Sequence, residues 1–464
     1  MSKNNNMGVG AGTTTILSID GGGVRGIIPG VMLDFLESKL QEFDKNARLA
    51  DYFDVISGTS TGGLIATMIS TPNDKGRPLY AAKDIVPFYK KECPQIFKKS
   101  ACPFRNLLSH QKESGVAVEM KMSYHSENCH DEMHLKIPHP TTTTSYGVGK
   151  DNYSKNESLL LKSIYDGNYL HRLVRGILGK KVLRDTLTKV VIPAYDINKL
   201  SPVIFSSYEV LENKNEELNA CLSDICISTS AAPIYLPAYK FTNQNTEFNM
   251  IDGGVAANNP TVAAITEVLK RKRINKVDHQ LEKGKGKKRK KDTNNNEDGD
   301  QSSEDHHDYG DLLVLSLGTG ADKVEGKYNA DIVNGWSILN WIQNPSWNFF
   351  WNPDRPIFEI MADANADMID HYTTIFFQNY HQNFLRIQDS ELPKDLSAMD
   401  NSDPTNLEKL EQYAKDLLHK PVTRLDLPTF KRIVMNKLNQ TYQDALEEFA
   451  KKLIFIKKSR AEQA

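Results

Sequence analysis

Three times in this chain a short run of aliphatic and β-branched residues ends in a glycine-rich turn that opens directly into a helical pattern. Residues 13–26 read TTTILSID and then GGGVRG. Residues 53–66 read FDVIS and then GTSTGGLIA. Residues 248–270 read FNMI, then DGG, then VAANNPTVAAITEVLK. A buried strand that turns on glycine into a helix is the repeating unit of an α/β fold. The intervening stretches keep the alternation. Ile28, Val31, Met32, Phe35, Leu36 and Leu40 recur at helical spacing. LTKVVIPAYDI, PVIFSSY and DLLVLSLGTG read as further strands, and residues 395–420 and 430–456 read as amphipathic C-terminal helices. The expectation is an α/β domain with a central, mostly parallel sheet flanked by helices.

Composition explains where that domain stops. Only 39% of the 464 residues are hydrophobic, low for a compact globule, and two polar stretches account for it. One covers about residues 106–158 and is rich in Ser, Thr, His, Asn and Lys. The other begins near residues 267–272, carries KGKGKKRKK followed by NNNEDGDQSSEDHHD, and ends at 310. Blocks of like charge cannot bury enough apolar surface to offset their ordering entropy, so the second is expected to be a disordered insertion. Residues 15–266 and 311–464 are then one domain. The net charge of −2 excludes binding to nucleic acid by bulk attraction. Five cysteines without a CxxC pair argue against a disulfide scaffold and a structural zinc site. No run approaches the length of a spanning helix, and none at the start has secretory length. A cytoplasmic protein is expected.

The chemistry sits in the three turns. Gly21-Gly22-Gly23-Val24-Arg25-Gly26 is a G-x-G-x-x-G loop whose backbone can turn tightly and face a negative charge with N–H groups. On its own it could also be a dinucleotide fingerprint, but that needs an acidic residue closing the next strand. Asp44 lies near the right distance and follows a helix instead. Gly58-Thr59-Ser60-Thr61-Gly62 is a G-x-S-x-G in strand–turn–helix context, which exposes a serine nucleophile at a helix N-terminus. A glycine turn capping a helix is the plainer alternative. A nucleophilic serine needs a base, and the histidines are poorly placed. His125, His130, His134, His139, His306 and His307 fall in the insertions, while His371 and His381 lie in a helical pattern. Asp252-Gly253-Gly254 offers instead a carboxylate at a strand end with room for close approach, or simply an Asx turn.

SIDGGGVRG, DYFDVISGTSTGGL, SDICISTSAAPIYLPAY and IDGGVAANNP occur here in the order and context of the patatin-like phospholipase family. The chain resembles the plant patatin-like acyl hydrolases, and the likeness extends through LLVLSLGTG, ADANADMIDHYTTIFFQ, FLRIQD and the C-terminal helices. The resemblance implies a patatin-like fold and a Ser60 nucleophile with Asp252 as proton acceptor, so that a dyad replaces a triad. It also implies an oxyanion loop of Gly21, Gly22, Gly23 and Arg25, and a structural role for Pro233. The implied activity is acyl ester hydrolysis on membrane glycerolipids, of phospholipase A or galactolipase type, with no metal or cofactor. A non-catalytic lipid- or partner-binding protein of the same fold is the alternative, and a Ser-His-Asp esterase is a further one.

A lipid substrate implies peripheral contact with a membrane. All four tryptophans fall within residues 336–351, and Trp347, Phe349, Phe350 and Trp351 are candidates for membrane or substrate contact. Packing under a loop is the alternative. His125, Cys129, His130, His134 and His139 lack metal-ligand spacing, and the basic run reads as solvated.

Overall fold

The computed structural model describes residues 8–98, 163–285, 309–322, 327–337, 340–341, 356–435 and 440–464. The insertion at 106–158, most of the second insertion, and Trp347, Phe349, Phe350 and Trp351 lie outside the described residues. The described residues up to Lys98 and from Tyr165 onward form one compact unit.

The unit is built on an eight-stranded mixed sheet. Strands β1 (Thr14–Ile19), β2 (Val55–Gly58), β3 (Lys189–Asp196), β4 (Ser201–Ser206), β5 (Tyr239–Asn243), β6 (Thr246–Asp252), β7 (Leu312–Leu317) and β8 (Phe384–Ile387) follow the order β5-β6-β3-β2-β1-β7-β8, with β4 also on β3. The central run β3-β2-β1-β7-β8 is parallel, while β4, β5 and β6 pair antiparallel. The main helices are α1 (Ile27–Phe43), α2 (Thr61–Ser70), α3 (Ile85–Ile96), α4 (Asn168–Leu178), α5 (Leu222–Ser230), α6 (Thr261–Lys285), α7 (Pro356–Phe376), α8 (Pro404–Leu418) and α9 (Tyr442–Gln463). Side chains alternate across β1. Leu17 and Ile19 join the larger core with α1, α2, α8 and α9, while Ile16 packs with Ala264, Ile265 and Val268 of α6 on the other face. Covering both faces buries β1 and β7 almost completely, which is why these strands read as unbroken apolar runs.

Three boundaries differ from expectation. Helix α6 continues past Lys272 to Lys285, because lysine, arginine, glutamate and glutamine are good helix formers and no glycine interrupts before Gly284. Residues 395–403 precede α8 rather than belong to it, since Asp403 caps the helix by accepting from the Thr405 N–H at 2.9 Å and Pro404 opens it. Residues 430–456 are not one helix. Arg432–Val434 forms β10 against β9 (Thr423–Leu425), and α9 starts only at a capping box in which Thr441 and Asp444 exchange backbone–side-chain bonds of 2.9 and 3.2 Å.

Candidate active site

Ser60 sits between β2 and α2 with φ +53° and ψ −122°. A non-glycine residue there costs about 1–3 kcal/mol and persists only where its surroundings over-determine it. They do. Thr59 N–H donates to Ile19 O at 3.2 Å, Gly62 N–H to Thr59 O at 2.7 Å, and the Thr59 hydroxyl to Ala257 O at 2.6 Å. A Cβ on Gly58 would stand 2.1 Å from the Gly62 carbonyl oxygen, and one on Gly62 would stand 2.2 Å from that of Ile19. The two glycines of G-x-S-x-G are therefore forced by close backbone approach.

The sheet brings Asp252 to this turn. β4 runs along one side of β3. On the other side β2 pairs with residues 189–191, and β6 then takes residues 194–196. β6 thus occupies the lane that β2 leaves on turning into Ser60, and Asp252 ends it opposite Ala194. Gly253 lies so near the β3 backbone that a Cβ would stand 2.2 Å from Pro193 O. The Asp252 carboxylate accepts the Gly254 N–H at 2.7 Å. Burial pushes its pKa from 3.8 up to about 6, and that bond together with the nearby Ser60 side chain counters only part of the desolvation. The acidic partner of the serine thus titrates where an unperturbed histidine would.

The glycine loop passes on the other side of Ser60. A Cβ on Gly21 would lie 3.2 Å from the Ser60 Cβ. Gly21 itself is tied down, its N–H to Asn258 O at 3.0 Å and its carbonyl to the Thr319 hydroxyl at 2.7 Å. Gly23 has φ +59°, and a Cβ there would stand 2.1 Å from Met399 O, which accepts the Val24 N–H at 2.9 Å. The Arg25 N–H donates to Gly22 O at 3.2 Å, and its guanidinium donates to Gly320 O at 2.9 Å. Among the described residues no acceptor meets the N–H of Gly22 or Gly23. Of the four residues expected in the oxyanion loop, Gly21 and Arg25 have their backbone donors engaged and frame the other two.

Thr229 was not singled out in the sequence, where only Pro233 of its block was given a role. Its hydroxyl accepts the Ser60 N–H at 2.9 Å and donates to Pro193 O at 2.6 Å, while its carbonyl accepts the Gly253 N–H at 3.3 Å. It joins both halves of the Ser60–Asp252 pair. Thr229→Val keeps the volume and removes the first two bonds. We expect stability to fall by about 1–3 kcal/mol and ester turnover to fall with it, checked by urea unfolding and kcat. Unchanged values in both would show that the elbow does not depend on Thr229.

No histidine among the described residues joins this group. His371 stacks on Phe430 at 5.2 Å, and His381 lies in a turn before β8. Among the described residues no three His, Cys, Asp or Glu side chains gather as metal ligands would. A groove of about 1190 Å³ between α7, β8, β9 and α9 is lined by neither Ser60 nor Asp252, so the site is defined by its polar geometry.

Residues 17–265 match the family described as patatin-like phospholipase. The chain is 42% identical to patatin-like protein 2 of Arabidopsis thaliana over 89% of its length and 84% of that protein. The chain belongs to the patatin-like phospholipase family. It is also 40% identical to patatin-like protein 3 of Arabidopsis thaliana (96% of this chain, 90% of that one). With patatin-2-Kuras 4 of Solanum tuberosum it shares 35% identity, covering 97% of this chain and 95% of that one. Similarity to patatin-like proteins therefore reaches well beyond the matched region, into β7, β8 and the C-terminal helices. Family membership carries the general activity, hydrolysis of lipid acyl esters.

Proposed function

We propose that this protein is a phospholipase A or galactolipase that cleaves fatty acyl esters of membrane glycerolipids through a Ser60–Asp252 dyad. The observation that carries the reading is the Ser60 side chain beside a buried carboxylate, near two backbone donors that meet no acceptor among the described residues. Asp252 takes the Ser60 proton as the serine oxygen attacks the ester carbonyl. The N–H groups of Gly22 and Gly23 receive the oxyanion, a contribution of about 3–4 kcal/mol per donor in comparable sites. Collapse of the tetrahedral intermediate leaves an acyl-Ser60, and the proton passes from Asp252 to the departing lyso-lipid alkoxide. Water then attacks the acyl-enzyme with Asp252 again as base, and the fatty acid leaves.

The test is acyl release from phospholipid and galactolipid vesicles, intact protein against Ser60→Ala, with and without a chelator. Release that needs Ser60 and survives chelation supports the reading. No release by the folded intact protein would favour a lipid-binding role without catalysis.

Such a substrate must be reached in a membrane, and no helix among the described residues is long and apolar enough to cross one. The contact proposed here is peripheral and made by α7. Among the residues of this helix whose burial is described, the exposed ones are Ile360, Met361, Ala364, Met368, Tyr372 and Ile375, an uncharged stripe at helical spacing in which Met361 is 60% exposed. The stripe adjoins the site, because Asn365 of the same helix donates to Ala256 O, four residues beyond Asp252, at 3.0 Å. Replacing Met361, Met368 and Tyr372 with serine is expected to reduce vesicle binding and vesicle hydrolysis several-fold more than turnover of a soluble ester. Equal loss on both substrates would show damage to the fold instead of lost docking.

A further inference from the structure

A buried group of four charges lies behind the oxyanion loop. Asp20, the residue immediately before Gly21, is 2% exposed and is gripped by both terminal nitrogens of Arg386 at 3.0 and 2.6 Å. The Arg386 Nε is 3.0 Å from Asp370 of α7, and Asp370 pairs in turn with Arg432 of β10. Among the described residues of this group, the two aspartates and two arginines balance. Strand register explains how Arg386 reaches Asp20. Ser18, Ser316 and Arg386 stand abreast on β1, β7 and β8, and Asp20 lies on the same side as Ser18 by the two-residue period of a strand. Because Ser316 is small, the guanidinium passes across β7, donating to the Ser316 hydroxyl at 3.0 Å on the way.

The same arginine reaches the other wall of the site. Asp370 accepts a hydrogen bond from the Asn259 side chain at 3.2 Å, and Asn259 follows Asn258, whose carbonyl holds the Gly21 N–H at 3.0 Å. Asn259 also caps α6 by accepting the Thr261 N–H at 3.1 Å. Arg386 is thus joined to the loop through Asp20 and to the segment after Asp252 through Asp370 and Asn259. Buried ion pairs seldom stabilise a fold more than apolar residues of similar size would, because desolvation offsets the attraction. Stability alone is therefore a weak reason for four such charges in the sheet's interior. Their geometry is specific instead, since both terminal nitrogens of the planar guanidinium grip Asp20 while its Nε lies 3.0 Å from Asp370.

We propose that Arg386 is a positioning residue for catalysis. Through Asp20 and Asp370 it holds the glycine loop in register with Ser60 and Asp252, so that the Gly22 and Gly23 donors meet the developing oxyanion. This inference rests on the dyad and oxyanion assignment above.

The experiment measures kcat and KM on a soluble ester for Arg386→Lys, for the double variant Asp20→Asn with Arg386→Gln, and for Ser60→Ala. Lysine keeps the charge but cannot span both carboxylates. The double variant removes one charge of each sign and leaves Asp370 paired with Arg432, so no buried ion is orphaned. Both Arg386 variants are expected to lose roughly 10²-fold in kcat, the scale of a displaced oxyanion donor. KM should stay within about twofold, and circular dichroism and the acid limb of the pH profile should match the parent. If Ser60→Ala is inactive while both Arg386 variants keep kcat, lose efficiency only through KM, or lose activity only by unfolding, the positioning role is overturned and the dyad stands. If Ser60→Ala retains turnover, the dyad assignment itself fails.

Discussion

Ser60→Ala and Asp252→Asn are each expected to lose on the order of 10⁴-fold or more in lipid ester turnover while remaining folded. Folding should survive Ser60→Ala because the φ of +53° belongs to the backbone, and alanine has the same Cβ as serine. The hydrogen bonds that hold the turn run from the Ser60 N–H and from Thr59, and none of them uses the serine hydroxyl. Asparagine at 252 can still accept the Gly254 N–H but cannot take a proton from Ser60. Since the proposed mechanism has the two side chains act in one proton transfer, the double variant should fall no further than either single one. Kinetics on vesicles and on a soluble ester, with circular dichroism on each variant, provide the check. A folded Asp252→Asn protein with near-normal kcat would remove Asp252 from the mechanism and send the search for the base elsewhere.

The second large effect concerns pH, and its two consequences have opposite signs. The proposed dyad needs Asp252 ionised, so kcat/KM should fall tenfold per pH unit once pH drops below about 6, where burial has moved this carboxyl. An acid limb there would otherwise suggest a histidine, so the position of the limb does not separate the two bases, whereas the Asp252→Asn variant does. Stability runs the other way. The folded-state pKa lies above the unfolded value near 3.9, so the native protein binds the proton more tightly. That contribution is fully present below about pH 4 and is lost as pH rises through 6. Above pH 6 the fold carries an ionised, buried carboxylate at a cost of about 3 kcal/mol relative to acid conditions. Asp252→Asn should therefore gain up to about 3 kcal/mol more stability over the parent at pH 8 than at pH 4. Urea unfolding at both pH values measures the difference. The same mutational change in stability at both would show that Asp252 keeps an ordinary pKa and that no cost is stored at the site.

Local chemistry made much of this legible beforehand. A glycine in G-x-S-x-G, an aspartate closing a strand, and an asparagine and proline ahead of a helix act within a few residues of themselves, and α2, β6 and α6 begin or end where those signals stand. The strand of residues 432–434 was not legible. Its pairing with residues 423–425 is a contact between two segments, and Ile433 and Val434 fit a helical pattern as readily as a strand. Thr229 and Arg386 escaped notice for a related reason. A threonine in a helix and an arginine in a strand carry no mark of the partners they will meet.

The sequence by itself determined the alternation of strands and helices, the sharp turn at Ser60, the carboxylate at the end of β6 and the family resemblance, because each is written in neighbouring residues. Only the tertiary structure decided that β6 enters the lane β2 vacates, that the Gly22 and Gly23 donors meet no acceptor among the described residues, and that Arg386 reaches across β7 to Asp20. It also decided that Asp252 titrates near 6. These properties depend on which distant segments pack together and how far they exclude water, and both are set only when the sheet closes around the site.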